Sequence, residues 1–274
     1  LYMCADCGHV HQLDVVDSKS LWENYTYYSG DAKGMPEHFN QVAAKIIGRF
    51  KPPADALVID IGSNDGSLLH PFKNSGYRVL GIDPVREIAR MATESGIETI
   101  PELMSLRLGE KIRKERGEAH VVCMFNAFAH ADNMGEIAES IRAMLAPDGL
   151  FVFEAQYLLD IIDRMLIATI FHEHMSHHSV KALTIFFARH GLELIDVERV
   201  PIQHGSLIGT VQLIGGKRKT GPSVQRLLDL EVKRGLDKID TLKRFGKNIA
   251  QQRARTSKLV STWKKDGLSV AGYG

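Results

Sequence analysis

Cysteine is scarce in this chain of 274 residues: Cys4, Cys7 and Cys123 are the only three. That excludes the disulfide framework that staples small secreted chains. Long apolar runs are missing as well. None approaches the roughly 20 residues needed to span a bilayer, and no signal peptide opens the chain. There is no internal repeat and no low-complexity tract. An excess of either charge is absent, with 34 Lys/Arg against 33 Asp/Glu. Hydrophobic residues make up 44% and charged residues 24%, which excludes disordered, collagenous and coiled-coil chains. A core of this size needs no disulfides, and length allows one large domain or two ordinary ones. The reading is a soluble cytoplasmic protein with no membrane partner. The chain opens at Leu1 without a methionine and stops at Gly274 inside SVAGYG, so both ends read as cut.

The balance of charge hides an asymmetry. Residues 217–265 hold fifteen Lys/Arg and four Asp/Glu, a local charge of +11, which leaves −10 for the remainder. Such a segment could bind nucleic acid. It also reads as helix, because Leu227, Leu230, Leu236, Leu242, Phe245, Leu259 and Trp263 recur at roughly helical spacing. Aromatics suited to stacking bases are few. A solvated helical connector with a basic face is therefore preferred over a nucleic-acid site.

From Pro52-Pro53 onward, short apolar runs alternate with helical patterns. A helix over 36–50, with Pro36 in its first turn, precedes them. ALVIDIG, YRVLGIDP, IETI, AHVVCMFN and LFVFEAQ read as five strands. The intervening segments read as helices, stopped by Gly76, Gly96 and Pro147-Asp148-Gly149. This order predicts an α/β, doubly wound, mostly parallel sheet with right-handed crossovers. Residues 179–190 read as helix, and ELIDVERVP with IGTVQLIG as the antiparallel pair that often edges such a sheet.

VIDIGSNDGSLL sits where strand one turns into helix one. Asp60 ends the strand, and Gly62 and Gly66 allow a tight turn with close approach to a ligand. The spacing is not the Gly-x-Gly-x-x-Gly of dinucleotide sites. Asp65 would lie near a pyrophosphate and repel it, so a cationic ligand with an amino-acid end is favoured. Asp83 ends strand two, where a carboxylate can accept both hydroxyls of a ribose. Together these features resemble the cofactor site of class I S-adenosylmethionine-dependent methyltransferases, a Rossmann-like fold. A similar fold serving another nucleotide is the alternative.

A narrower resemblance rests on CADCGHVHQ, YTYYSG…HF, VIDIGSNDGSLL…GIDP, NAFAHADNM and FHEHMSHHS. Their order and spacing are similar to the sugar C-methyltransferases with an N-terminal zinc module, which include NDP-hexose 3-C-methyltransferases of deoxysugar biosynthesis. The resemblance implies four segments: residues 1–30 as a partial zinc module with Cys4 and Cys7 as ligands, and 31–216 as the methyltransferase domain. Residues 217–267 become the basic helical connector, and 268–274 the first strand of a truncated C-terminal domain. It implies S-adenosylmethionine contacts at Asp60, Gly62, Asn64, Gly66, Asp83, Pro84 and Asn126, and places Tyr27 and Ser29 over that site. Aromatic packing is the alternative for the last two. Structural zinc is implied for the intact protein; it needs four ligands, and this chain offers one Cys pair, with His9 and His11 close by. Cys123 reads as buried core.

The cluster Phe171-His172-Glu173-His174 carries the chemistry. His-Glu-x-His is not the zinc-protease spacing. A structural role with satisfied imidazoles and a general base with its orienter both stand. Carbon methylation beside a ketone requires removal of a weakly acidic proton, and histidine titrates in the range that suits this. By resemblance His174 is the base, and Glu173 orients it or contacts the sugar. Related members commonly carry Tyr where Phe171 stands, and Phe171 transfers no proton. A family turn that usually has two glycines becomes QHGSL here, with His204 in place of one. His130 is a substrate-side residue or a helix-capping group. Glu154, Gln156, His172 and His204 complete the expected substrate contacts. The expected substrate is a nucleotide-linked keto-deoxysugar. Alternatives are another small metabolite, or an RNA-binding or RNA-methylating protein. Nothing in the sequence speaks to oligomeric state.

Overall fold

The computed structural model describes residues 1–17, 21–22 and 25–272. Seven strands form the central sheet in the order β5-β4-β3-β6-β7-β10-β9. These are β3 (Leu57–Ile61), β4 (Arg78–Ile82), β5 (Thr99–Ile100), β6 (Ala119–Phe125), β7 (Leu145–Gln156), β9 (Leu192–Val200) and β10 (Ser206–Leu213). The first five are parallel, and β10 joins β7 and β9 antiparallel. The predicted doubly wound α/β sheet with an antiparallel edge is therefore present. A second sheet, β1 (Tyr2–Met3), β2 (Val10–His11) and β8 (Ser176–His177), ties the N-terminus to the segment before the helix at Val180–Arg189.

Both faces of the large sheet are covered, so its central strands read as continuous apolar runs rather than alternating ones. On β3, Leu57, Ile59 and Ile61 pack into one hydrophobic cluster and Val58 into the other. Helix α1 (Met35–Phe50) lays Met35, Phe39, Val42, Ala43 and Ile46 onto the second cluster. Cys123 lies fully buried in the same cluster. On the opposite face, Phe128, Phe151, Phe153 and Phe187 form a ring stack. Helices α2 (Leu69–Asn74), α3 (Arg86–Glu94), α4 (Leu106–Arg116), α5 (Met134–Met144), α6 (Leu158–Asp163) and α7 (Val180–Arg189) make the connections.

Three elements differ from expectation. Helix α2 begins four residues later than the sequence pattern suggests. Gly66 takes φ +80°, and Asp65 Oδ1 accepts from the Ser67 N–H (3.1 Å) and hydroxyl (2.6 Å), so side-chain bonding holds a turn where the helix would start. Strand β7 runs through Pro147-Asp148-Gly149, which were read as a stop. A register shift on β6 between Ala119 and Val121 admits the extra residues. Residues 268–272 form no strand: they are exposed, and strands need partners. Residues 273–274 of that anticipated strand lie outside the described residues.

The basic connector is half integrated into the fold. Helix α8 (Pro222–Arg234) and the start of α9 (Ile239–Lys265) bury Val224, Leu236, Leu242 and Phe245. Glu231 is also buried. Its Oε1 accepts from the Tyr157 hydroxyl (3.0 Å) and the Val180 N–H (2.6 Å), and its Oε2 from the Lys181 N–H (3.0 Å). A carboxylate from the connector thus caps the N-terminus of α7, where free N–H groups favour negative charge. The rest of α9 is exposed from Gly246 onward, apart from partial cover at Ile249 and Val260. Among the described residues, no helix is long and apolar enough to cross a membrane.

The small sheet is lined by imidazoles. His9 Nε2 lies 3.3 Å from Ser176 Oγ, and its ring stands 6.1 Å from that of His178. His178 stacks on Phe128 at 5.2 Å, and neither of its nitrogens has a partner among the described residues. Burial pushes His9 and His177 down to about 4 and His178 well below its ordinary value.

Two measurements test this fold. Glu231→Ala removes one acceptor group and strands three donors, so a loss of about 2–4 kcal/mol is expected. That corresponds to a Tm roughly 5–15 °C lower in thermal denaturation. A shift within 1–2 °C would show that the connector is not part of the cooperative unit. The histidines also set an acid limit. Their folded pKa values lie below 6.5, so between pH 6.5 and about 4 the unfolded chain binds more protons. The stability they contribute is present above pH 6.5 and is lost as pH falls through this window. A Tm flat from pH 7 to 4.5 would contradict the burial of these rings.

Candidate active site

A cleft of about 950 Å³ opens at the carboxyl ends of β3, β4, β6 and β7, where ligands bind in open α/β sheets. Its floor is the turn after β3. Gly62 holds φ +73°, and a β-carbon there would come within 2.7 Å of the Ala127 side chain. Only glycine fits that approach. Asn64 follows at φ +50°. Its backbone N–H donates to Asp83 Oδ2 (2.9 Å), while Asp83 Oδ1 accepts from the Val85 N–H (2.9 Å). Each carboxylate oxygen of Asp83 thus keeps capacity for a further donor. Burial raises the Asp83 pKa despite these two backbone bonds.

The segment bearing Tyr27 and Ser29 is strapped across this floor. Asn64 Oδ1 accepts from the Ser29 N–H (2.9 Å), and Asn64 Nδ2 donates to the Tyr27 carbonyl (2.9 Å). Asp65 Oδ2 accepts from the Gly30 N–H (2.7 Å). Asp65, expected to repel an anion, is thus turned toward the strap. Tyr27, Ser29, Gly62, Asn64, Asp83, Pro84 and Asn126 all line the cleft. Asn126 ends β6 at φ +55°.

Opposite this floor stands the histidine loop. His174, Glu173, Phe171, Thr169 and His130 line the same cleft. His174 Nδ1 lies 2.8 Å from the Thr169 carbonyl. A carbonyl only accepts, so Nδ1 carries the proton and Nε2 presents a lone pair. The imidazole packs against Phe171 (4.5 Å) and meets His130 edge-on (4.9 Å). Burial holds His174 below its ordinary pKa, the Thr169 bond and nearby Glu173 opposing this. His130 is pushed down to about 3 by burial and by His174, and its Nδ1 has no partner among the described residues.

The loop is held from the far end of the sequence. Gln12 Nε2 donates to the Phe171 carbonyl (2.6 Å) and the His174 carbonyl (2.8 Å), and the Gln12 N–H donates to the Met175 carbonyl (2.9 Å). Neither Gln12 nor Thr169 was expected from sequence. Gln12 closes the CADCGHVHQ stretch, but that resemblance gives it no role, and Thr169 acts through its backbone. The orienter of His174 is this carbonyl rather than Glu173, which faces the cleft and leaves the sugar-contact alternative.

Several expected contacts are placed elsewhere. Asp60 lies buried beneath the floor rather than on it. Its Oδ1 has no partner among the described residues, and burial with the neighbouring Asp83 pushes it up to about 8. Gly66 does not touch the cleft. It lets the turn pack on Ile97, which a β-carbon would meet at 2.9 Å. Glu154 is fully buried between His38 Nε2 (2.5 Å) and Asn126 Nδ2 (3.0 Å), so it positions Asn126 instead of meeting a ligand. Gln156, two residues on, does line the cleft. His172 points outward, 62% exposed, because the turn closing His174 N–H onto the Phe171 carbonyl (3.0 Å) faces its neighbours inward. His204 adopts φ +67°, a conformation suited to glycine, but its neighbour Gln203 lines the cleft instead.

Zinc does not fit the donors described. The Cys4–Gly8 turn is formed, with Cys4 N–H donating to the His9 carbonyl (2.8 Å) and Gly8 N–H to the Cys4 carbonyl (3.0 Å). His9 faces Ser176, and His11 Nδ1 lies 2.7 Å from the Gln12 carbonyl. Cys4 and Cys7 supply two of the four ligands a tetrahedral site needs. Among the described residues no group of three or more His, Cys, Asp or Glu side chains could hold a metal ion.

Comparison with known proteins fits this geometry. Residues 35–197 match the family described as a methyltransferase domain, and residues 201–274 match the C-methyltransferase C-terminal domain. The C-methyltransferase NovU of Streptomyces niveus is 32% identical over 272 residues, covering 99% of this chain. The chain spans 65% of that relative's length. Among solved structures, magnesium protoporphyrin IX methyltransferase from Synechocystis PCC 6803 with bound SAH is 14% identical with a TM-score of 0.51, covering 70% of this chain and 91% of its own. The PH0226 protein from Pyrococcus horikoshii OT3 is 14% identical with a TM-score of 0.55, covering 72% of this chain and 100% of its own. These two likenesses show the fold. With a family match over more than half its length and a cleft at the switch of its sheet, the chain belongs to the methyltransferase-domain family.

Proposed function

We propose that this chain is the catalytic part of an S-adenosylmethionine-dependent C-methyltransferase whose acceptor is a nucleotide-linked keto-deoxysugar. One observation carries the reading. A histidine with a fixed tautomer and a free Nε2 faces, across one cleft, a glycine turn and a buried carboxylate suited to a nucleoside. The C-methyltransferase match and the Streptomyces niveus relative support carbon as the atom methylated. The sugar rests on the sequence resemblance.

The residues fit the cofactor. Gly62 leaves room at the floor that a side chain would fill. Asp83 offers acceptors to ribose hydroxyls, and Asn64, Pro84, Asn126, Tyr27 and Ser29 complete the walls. S-adenosylmethionine, when bound, supplies a methyl group on a sulfonium. The chain's own part is to take a proton. His174 Nε2 accepts it from the carbon beside the ketone, Thr169 keeps Nδ1 protonated, and the imidazolium forms next to Glu173. Phe171 and the ring of His130 enclose the base and exclude water from it. Phe171 carries no hydroxyl, so His174 has no second proton carrier at that position. The same feature favours a second reading, in which the acceptor is another small metabolite with an acidic C–H.

His174→Ala is expected to lower kcat by roughly 10²–10⁴-fold while S-adenosylmethionine binding by calorimetry stays within about twofold. Labelled methyl found on oxygen or nitrogen of the acceptor, rather than carbon, would refute the assignment. The base must be neutral to act, and its pKa lies below 6.5. The acid limb of kcat/KM is therefore expected below pH 6.5, with activity lost as pH falls; a limb above pH 7 would point to another base. Gln12→Ala frees the loop but touches no ligand. It should reduce kcat by about 10-fold or more, since small misplacement of reacting groups is costly. Cofactor affinity should be unchanged, and an equal loss in both would show a general folding defect.

A further inference from the structure

At the rim of the cleft the chain makes a turn that its own residues disfavour. Gln203 and His204 take φ +47° and +67°, two consecutive left-handed residues that are not glycine. Gly205 follows at φ +142°, and a β-carbon there would collide with the Asp160 carboxylate. Left-handed Gln and His cost free energy that glycine would not. Strain of this kind persists only where the surroundings over-determine it, and it gathers at functional sites.

The surroundings are explicit. Asp160 is fully buried and takes two hydrogen bonds from Arg199, Nε at 2.8 Å and Nη2 at 2.6 Å. It stands as the wall behind Gly205. The Gly205 carbonyl accepts from the Tyr157 N–H (3.1 Å), its N–H donates to the Ile202 carbonyl (2.9 Å), and the Ser206 hydroxyl donates to the same carbonyl (3.2 Å). The turn is held from both sides, and the result is that Gln203 lines the cleft while His204 does not. There Gln156 Nε2 donates to Gln203 Oε1 (3.3 Å). The amide of Gln203 keeps its donors, and that of Gln156 its acceptor, without partners among the described residues. Arg199 and Arg164 both pair with Asp160, so the paired amides are a neutral donor–acceptor set. Such a set suits a hydroxyl and not a phosphate, which calls for cations.

We propose that Gln203, paired with Gln156, reads a ring hydroxyl of the sugar acceptor, and that the strained 203–205 turn serves to hold it there. This rests on the keto-sugar reading above. Gln203 is then a specificity-determining residue, and Asp160 and Arg199 are positioning residues that act through the turn.

The test uses the full chain with labelled S-adenosylmethionine and two thymidine-diphosphate keto-sugars that differ by one ring hydroxyl. A site built to bond a hydroxyl rejects the analogue lacking it. The wild-type protein is expected to prefer the hydroxylated acceptor. Gln203→Ala should cut kcat/KM for that acceptor by about 10-fold and for the deoxy acceptor by less than twofold, so discrimination collapses. Cofactor affinity by calorimetry should not move. Gln203→Gly, which relieves the backbone, should lose discrimination equally while its Tm stays at or above that of the wild type. Equal losses on both acceptors, no loss on either, or a wild-type enzyme indifferent to the hydroxyl overturns the inference and leaves the keto-sugar reading standing. No carbon methylation of any keto-sugar by the wild-type protein overturns both.

Discussion

The hydrogen bonds of one side chain hold one wall of the cleft in place. Between α6 and β8 the chain runs through a loop held internally by single-turn bonds. Gln12 spans it, with two amide donations to the Phe171 and His174 carbonyls and a backbone bond to Met175. His174 is placed by residues 162 positions away in sequence. The N-terminal knuckle and its small sheet are therefore part of the active site's frame rather than an appended module. The same logic runs through the opposite wall, where Asn64 straps the Tyr27–Ser29 segment across the floor from 35 or more positions away. Loops carry the reacting groups, and long-range polar contacts give those loops one geometry.

Burial decides how each polar group behaves. Asp60, Asp83 and Glu154 sit at neighbouring strand ends with little access to water. Asp83 has two backbone donors, Glu154 has His38 and Asn126, and Asp60 keeps an oxygen without a partner among the described residues and rises to about 8. Desolvation penalises charge unless donors offset it. The three carboxylates therefore divide into one that faces the cleft, one that braces a neighbour and one that favours its neutral form. His130 and His174 show the same effect with the opposite sign, since burial favours their neutral rings.

Much of this was legible in residue order. Period, turn residues and strand composition fix the sheet, its edge pair and the glycine turn, because these depend on local chemistry. Asp83, Asn64 and Asn126 sit in motifs at strand ends and His174 in a motif of its own, and the cleft collects them all. What could not be read depends on what a side chain meets across the fold. Glu154 and Gln156 have the same strand phase, yet α1 supplies His38 to one and leaves the other to the cleft. His172 and His174 differ by two positions, and one backbone turn sends them to opposite sides. The connector was read as solvated from its charge, while Glu231 within it is buried by Tyr157, between β7 and α6, and by the start of α7. Gln12 ends the CADCGHVHQ stretch, yet residue order does not tell which carbonyls its amide meets, and Thr169 acts through a main-chain carbonyl that no motif records.

The small sheet has a consequence for heating. Its strands are two residues long, and its β1 edge is exposed at Tyr2. Segments with so few ladder bonds open at far lower free energy than a central sheet. The loop bearing His174 is anchored beside that small sheet through Gln12, whereas the floor of the cleft is built on β3 and β4 of the seven-stranded sheet. The two walls of the cleft therefore loosen separately. On warming, the His174 loop comes free first, while the glycine turn and Asp83 keep their places until the chain unfolds.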